Sequence, residues 1–247
     1  MLLGHMSESH AEHEIANSKE RFDDVVREYI DFVNQQVGAY MDALAGFAGH
    51  YTRVERQTHR VLRSPGRVNT PAPADPVVWT SYEDPAQPDI IHNRIVRSAD
   101  YLAINARGGS NEQQQARAAL VFLFTYWEKD IRPRLEAASG VEKNAVRSDI
   151  MGDLRTVRHA ILHAKSVLRP EKHKTLKVLG SLFEADRPLH VGYDDMHKIF
   201  VLVKRDCARL MFEWLGVPDP AGQASRFVDV AIQRPAPPGS PGGRDVP

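Results

Sequence analysis

The chain has 247 residues, of which 42% are hydrophobic and 26% charged, a composition typical of globular proteins. Its formal net charge is zero at pH 7, so the protein as a whole does not attract nucleic acid, and any such binding must use a local basic patch. Its single cysteine, Cys207, excludes an intrachain disulfide, and the absence of a long apolar run or a signal-peptide pattern predicts a cytoplasmic protein that does not enter a membrane.

Residues 1–63 are predicted to form an N-terminal helical arm, as one long helix or a helical hairpin. Apolar residues recur there at a spacing that averages near 3.5, which keeps them on one face. They are Phe22, Val26, Tyr29, Val33, Val37, Tyr40, Leu44, Phe47, Tyr51, Val54 and Val61. Gly38, Gly46 and Gly49 predict a break or kink. The stripe fits either packing within the chain or a coiled coil with a second copy, and its aromatic content favours the first.

Proline placement predicts the boundaries that follow the arm. Six prolines lie between Pro65 and Pro88, and they indicate a linker over residues 64–89. Seven more lie between Pro218 and Pro247, and they predict a disordered tail rich in proline and glycine over residues 217–247. Residues 90–216, between these two proline-rich segments, are predicted to form a compact domain.

Helical spacing dominates this domain, which predicts an all-α fold, a helical bundle. The first helix is expected over residues 90–106, before Gly108 and Gly109, and the second over residues 111–136, before Gly140. A third helix is expected over residues 143–168. The last begins near Tyr193, with Asp194 or Asp195 as its N-cap, and ends at Gly216.

The third helix carries the residues best suited to chemistry. Residues 142–177 contain nine Lys or Arg against four Asp or Glu, a local excess of five positive charges before histidines are counted. Such a patch can bind phosphates, although a charge cluster is more often a solvated helix face. Arg155, His159 and His163 recur one turn apart on one face, whereas Arg158 lies about 140° from His163 at about 100° per residue. That separation hints at a site completed by a second copy of the helix.

The six residues from Arg158 to His163 resemble the signature of the HEPN superfamily, an arginine followed after four to six residues by a histidine. A preceding helix with the sequence Phe124-Thr125-Tyr126-Trp127-Glu128 and a long final helix add to the resemblance, which covers residues 90–216. It implies a helical bundle that forms a homodimer with the two signature helices facing each other. It further implies a metal-independent endoribonuclease, often a toxin or an effector of prokaryotic antiphage defence.

Carried onto this sequence, the resemblance makes His163 the general base that deprotonates an RNA 2′-hydroxyl and Arg158 the group that stabilises the phosphate. His159 is expected to order the site or assist the leaving group, and Glu128 is a candidate acidic partner. Further RNA contacts are expected from Arg155, Lys165, Arg169 and Lys172. RNA is the implied substrate, and an antitoxin or another component of a defence complex is the implied protein partner.

Several alternatives stay open from the sequence. A HEPN-like domain can serve as a non-catalytic scaffold or ligand-sensing module, with the same helix face binding a partner. His159 and His163 are spaced to share a metal, but no third ligand is suitably placed, so neither a metal nor a cofactor is predicted. Cys207 lies on an apolar stripe and is expected to pack rather than react. A second basic stretch could guide RNA or bind an acidic partner, although a solvated helix face is favoured. It contains Arg53, Arg56, His59, Arg60, Arg63 and Arg67.

Overall fold

The structure, a computed structural model, describes residues 3–63 and 76–217, without the side chains of residues 3–20, 61–63 and 88. It is 68% helix and 11% strand, so the predicted mainly helical architecture is confirmed. The helices are α1 (Leu3–Arg63), α2 (Ser98–Asn105), α3 (Ser110–Tyr126), α4 (Arg132–Ser139), α5 (Asp149–His163), α6 (Pro170–His173) and α7 (Tyr193–Leu215). One β-hairpin, of strands β1 (Val77–Asp84) and β2 (Gln87–Arg97), corrects the all-α prediction.

Helix α1 is continuous from Leu3 to Arg63, so the break expected at its glycines is wrong. The three glycines face open space, where a helix tolerates them at a modest entropic cost. The apolar stripe packs within the chain, as its aromatics favoured: Tyr29 and Val33 are 0% exposed, and the Tyr29 hydroxyl donates to the Leu123 carbonyl oxygen at 3.0 Å. The predicted arm therefore belongs to the same core as α3, α5 and α7. Val61 lies outside the described side chains.

The hairpin occupies residues predicted as linker and helix. Strands β1 and β2 pair antiparallel, from Val77 opposite Arg97 to Glu83 opposite Ile91. Thus residues 77–89 are not a linker, and residues 90–97 are not helical. The physical reason is composition, because β-branched and aromatic side chains favour a pleated strand, and Pro85 follows Asp84 at the turn. The rest of the predicted linker, residues 64–75, and the predicted tail from residue 218 lie outside the described residues.

A π-helical turn, Trp127–Ile131, joins α3 to α4 and replaces the uniform helix expected there. It directs Trp127 and Ile131 into the core, where they are 2% and 0% exposed. Beside it, Glu28 of α1 accepts hydrogen bonds from the Tyr126 hydroxyl at 2.5 Å and from both terminal nitrogens of Arg134 at 2.7–2.8 Å. This cluster ties α1 to the α3–α4 unit.

Helix α7 buries one apolar face, as its spacing predicted. Met196, Ile199 and Val203 are each 0% exposed, and Gly216 ends the helix in the left-handed conformation that glycine favours. Its N-cap is Gly192, so the expectation of an aspartate cap is wrong; Asp195 instead pairs with Lys198 at 3.5 Å. None of the described helices combines the length and the apolar character that a membrane span requires.

Candidate functional site

Helix α5 presents the predicted chemical residues, and its local sequence explains its position. The Ser148 hydroxyl caps its N-terminus by accepting from the Met151 amide at 3.1 Å. The opposite side buries Leu154 and Val157, both 0% exposed, which fixes the rotation of the helix about its axis. The helix ends at His163, fifteen residues long rather than the longer span predicted, because the chain turns at positive φ through Lys165 and Ser166.

That turn folds residues 164–177 back along α5 and creates a concave groove of about 860 Å³, hereafter the α5 groove. The groove brings together six of the seven residues predicted for the site. These are Arg155, Arg158, His159, His163, Arg169 and Lys172. Helical spacing alone separated Arg158 from His163 by about 140°, yet both side chains line this one groove of a single chain.

Arg158 lies at the inner wall of the groove and is half-buried. Its Cζ atom lies over the ring of Phe124, 5.9 Å from the ring centroid, in a cation–π arrangement. Its Nε is buried and has no hydrogen-bond partner among the described residues. The burial of Nε holds the inner part of the side chain against the protein, and a guanidinium can donate to a phosphate oxygen through its terminal nitrogens.

The two histidines are adjacent and accessible. The ring centroids of His159 and His163 are 4.9 Å apart, and both side chains are exposed at the groove. Two imidazoles one helical turn apart provide two sites for proton exchange on one face. Imidazole is the side chain suited to accept a proton in one step and donate one in the next near neutral pH.

Two of the acidic side chains that line the groove already have hydrogen-bond or ion-pair partners within the protein. Asp153 is 2% exposed, and its carboxylate accepts from the backbone amides of Lys177, Val178 and Leu179 at 2.7–3.0 Å. Asp149 pairs with the Lys177 ammonium at 2.6 Å. In contrast, Arg155, Arg169 and Lys172 form no hydrogen bond or ion pair through their side chains within residues 21–60 and 76–217. Glu171 also lines the groove and is exposed, so five cationic side chains face three acidic ones, and the groove keeps a net positive charge for an anionic ligand.

Two residues from the sequence prediction do not belong to the groove. Lys165 is exposed on the turn after α5, where its φ is positive, and its side chain does not line the groove. Glu128 pairs with Arg132 at 3.2 Å on the π-helical turn, so it is not an acidic partner of the histidines. Of the second basic stretch, Arg53, Arg56 and Arg60 line a separate shallow depression on α1; the side chains of Arg63 and Arg67 lie outside the described residues.

Asp153 was missed by sequence analysis as a residue of the site. It was counted only as one of four negative charges in the patch, since nothing local reveals that it anchors a loop 24–26 residues away. The sequence offered one clue: Asp153 is an acidic residue on a basic helix, and it lies close to the apolar side of that helix.

No three His, Cys, Asp or Glu side chains in the described part of the chain are grouped to hold a metal ion. Cys207 is buried on the apolar face of α7, and burial raises the pKa of its thiol. Comparison with protein-family models, curated proteins and solved structures finds no match to this chain.

Proposed function

We propose that this protein is a HEPN-like, metal-independent endoribonuclease whose α5 groove binds RNA. One observation carries the proposal: the Arg158 guanidinium, packed on Phe124, lines the same groove as the adjacent exposed imidazoles of His159 and His163. A fixed guanidinium and two proton-exchanging groups are the chemical equipment for cleaving RNA at a 2′-hydroxyl.

The proposed reaction is an internal transfer. His163 takes the proton of the 2′-hydroxyl, and the 2′-oxygen attacks the adjacent phosphorus as the bond from phosphorus to the 5′-oxygen breaks. His159, in its protonated form, gives a proton to the departing 5′-oxygen. The products are a 2′,3′-cyclic phosphate and a 5′-hydroxyl. Arg158 stabilises the charge that builds on the phosphate oxygens.

The wider binding surface is electrostatic. Arg155, Arg169 and Lys172 have no acidic partner in the described chain and lie along the groove, where they can hold phosphates on either side of the cleaved bond. The resemblance further implies that two copies of α5 face each other in a homodimer and that the enzyme acts in the cytoplasm in a toxin–antitoxin or defence system, with an antitoxin or defence-complex partner.

The test is cleavage of total RNA by the purified protein in EDTA. We expect cleavage by the wild type with cyclic-phosphate ends detected by mass spectrometry, and its loss in Arg158→Gln and His163→Gln. Matched controls are Arg187→Gln and His190→Gln, which change exposed residues of the same types outside the groove. Equal activity in all four variants, or the absence of cyclic-phosphate ends, contradicts the proposal.

A second candidate, a non-catalytic module that senses an anionic ligand, is favoured by the packing of Arg158 on Phe124. A guanidinium held by an aromatic ring is well suited to static binding. It predicts that wild-type protein binds RNA or another polyanion, that Arg158→Gln weakens binding, and that no product forms with or without EDTA.

A further inference from the structure

The β-hairpin has an apolar face in contact with water. Because side chains alternate along a strand and Trp79 lies opposite Ile95, while Glu83 lies opposite Ile91, four apolar residues share one face. Val77, Trp79, Ile91 and Ile95 are 58%, 68%, 53% and 67% exposed. We call these four residues the outer face. A sheet face with this many large apolar side chains is usually buried, but the described residues leave more than half of each of these four exposed.

The other face and the base of the hairpin are attached to the helical body. Val78 and Val96, directly opposite each other, are half-buried, and the Arg94 guanidinium lies over the Tyr101 ring at 5.8 Å. The Ser98 amide donates to the Pro76 carbonyl oxygen at 2.7 Å, which closes the base. The hairpin is therefore attached near its base, and the outer face projects from the body. A two-stranded sheet gains little stability by itself in water, so covering this face is favourable.

We propose that the outer face binds the outer face of a second copy of this chain. The exposed apolar side chains support this occupant, because all four are more than half exposed and can form the apolar centre of an interface that needs about 800 Å² from each partner. Ser81, Asn93, Glu83 and Arg97 lie on the same side of the hairpin and supply a polar rim.

Charge supports the same occupant and an antiparallel arrangement. The free end of the hairpin carries Glu83, Asp84 and Asp89, and its base carries Arg97 on the outer face, which also donates to Asp100 at 2.7 Å. Two hairpins that pack face to face in opposite directions place the acidic end of each near the basic end of the other. Such pairing uses one surface twice, as a two-fold dimer requires. Anionic lipid and nucleic acid are disfavoured as occupants because the acidic end repels them.

This interface is separate from the α5 groove and does not depend on the proposed ribonuclease activity. It is tested by sedimentation velocity over a roughly hundredfold range of protein concentration, with wild type compared with the double variant Trp79→Ser, Ile95→Thr. At the highest concentration we expect the wild-type assembly to have twice the mass of the variant. The dissociation constant for association through the hairpin should be at least tenfold higher in the variant than in the wild type.

The matched control is Tyr82→Ser, which removes an aromatic ring of similar exposure, 63%, from the opposite face of the same strand. It should associate like the wild type. Association of the double variant at wild-type strength overturns the proposal, as does an equal loss in Tyr82→Ser. A wild type that stays monomeric throughout also overturns it, whether solvent or another part of its own chain covers Trp79.

A second measurement remains informative if the double variant loses its helical circular dichroism. A nitroxide placed at Thr80→Cys, an exposed position on the opposite face of the same strand, leaves the outer face intact. It is attached selectively, because the remaining thiol, Cys207, is buried. The proposal requires one well-defined distance between labels on two copies at high protein concentration. A broad or absent distance distribution overturns it.

Discussion

The guanidinium of Arg158 lies over the ring of Phe124, with 5.9 Å between Cζ and the ring centroid. This contact crosses from α5 to α3 and holds the arginine at the wall of the groove that His159 and His163 also line. A long, flexible side chain is thereby restricted before any ligand arrives, which lowers the entropy lost on binding.

The first prediction concerns this contact. Phe124→Leu keeps an apolar side chain but removes the aromatic face, and a partly buried cation–π contact contributes about 0.5–2 kcal/mol. We expect kcat/KM for RNA cleavage to fall between about twofold and thirtyfold, the range that this energy allows. Phe183→Leu, a buried substitution of the same kind whose ring carries no cation–π contact in the described part of the chain, serves as the control. Equal loss in both variants would mean that general core damage, not the position of Arg158, lowers activity.

Mixing two inactive variants tests whether a composite site forms across two chains. Arg158→Gln and His163→Gln are each expected to be inactive alone. If one copy supplies the arginine and the other the histidine, mixing the two variants and allowing exchange restores about one quarter of wild-type activity, because half of the dimers are mixed and one site in each is intact. No restoration, with exchange demonstrated by mass spectrometry, assigns both groups to the groove of a single chain.

A third prediction addresses salt dependence. Affinity for single-stranded RNA should fall as salt rises, with a slope in the logarithmic plot of about −0.7 per phosphate neutralised. Arg169→Gln and Lys172→Gln each remove one cation from the groove and should make the slope less steep by about that amount. Lys165→Gln removes the same charge from a neighbouring residue outside the groove and should change the slope much less.

A fourth prediction concerns the buried Asp153 carboxylate, which accepts from the backbone amides of Lys177, Val178 and Leu179. Asp153→Asn replaces an acceptor oxygen by a donor, and a buried group left without its partner costs about 1–3 kcal/mol. We expect the free energy of unfolding, measured in urea, to fall by about this amount. Asp149→Asn, which breaks an exposed ion pair on the same helix, should cost less than about 1 kcal/mol. A comparable loss in both variants contradicts the anchoring role of Asp153.

The final prediction is a pH dependence of stability. Hydrogen bonds from Arg134 and Tyr126 lower the pKa of Glu28 from 4.5 to about 2. A depressed pKa means that the stabilisation is fully present above the ordinary pKa of the carboxyl group, and it is lost as pH falls from about 4.5 toward 2. Because the Glu28 side chain is 42% exposed, solvent screening leaves a contribution of about 0.5–1 kcal/mol.

The measurement compares wild type with Glu28→Gln in urea at several pH values. The difference in unfolding free energy should be present at pH 6 and shrink progressively below pH 4. Glu171→Gln, which changes an exposed carboxylate that forms no hydrogen bond in the described chain, is the control. A difference for Glu28→Gln that stays constant down to pH 2 rules out the ionised carboxylate as its source.

Local patterns in the sequence determined the parts of the fold that depend on neighbours along the chain. The spacing of apolar residues identified the buried faces of α1 and α7, and Gly140 and Gly216 marked helix ends because each adopts the left-handed conformation that glycine tolerates. The strands were missed because the prolines around Val77 suggested a linker, although proline at a strand end or turn is compatible with a hairpin. The sequence identified Arg158 and His163 as candidate site residues, but it could not predict that both line one groove of a single chain.

That groove exists because the chain reverses at Lys165 and Ser166, and because Asp153 holds the returning segment through three backbone amides. Periodicity fixes the angle between two side chains about one helix axis, but it carries no information about a segment that folds against that helix from farther along the chain. The sequence by itself therefore determined which residues on α5 carry charge and exchangeable protons. Tertiary packing alone decided that Arg158 is held against Phe124, that Lys165 is excluded from the groove, and that the hairpin projects an apolar face into water.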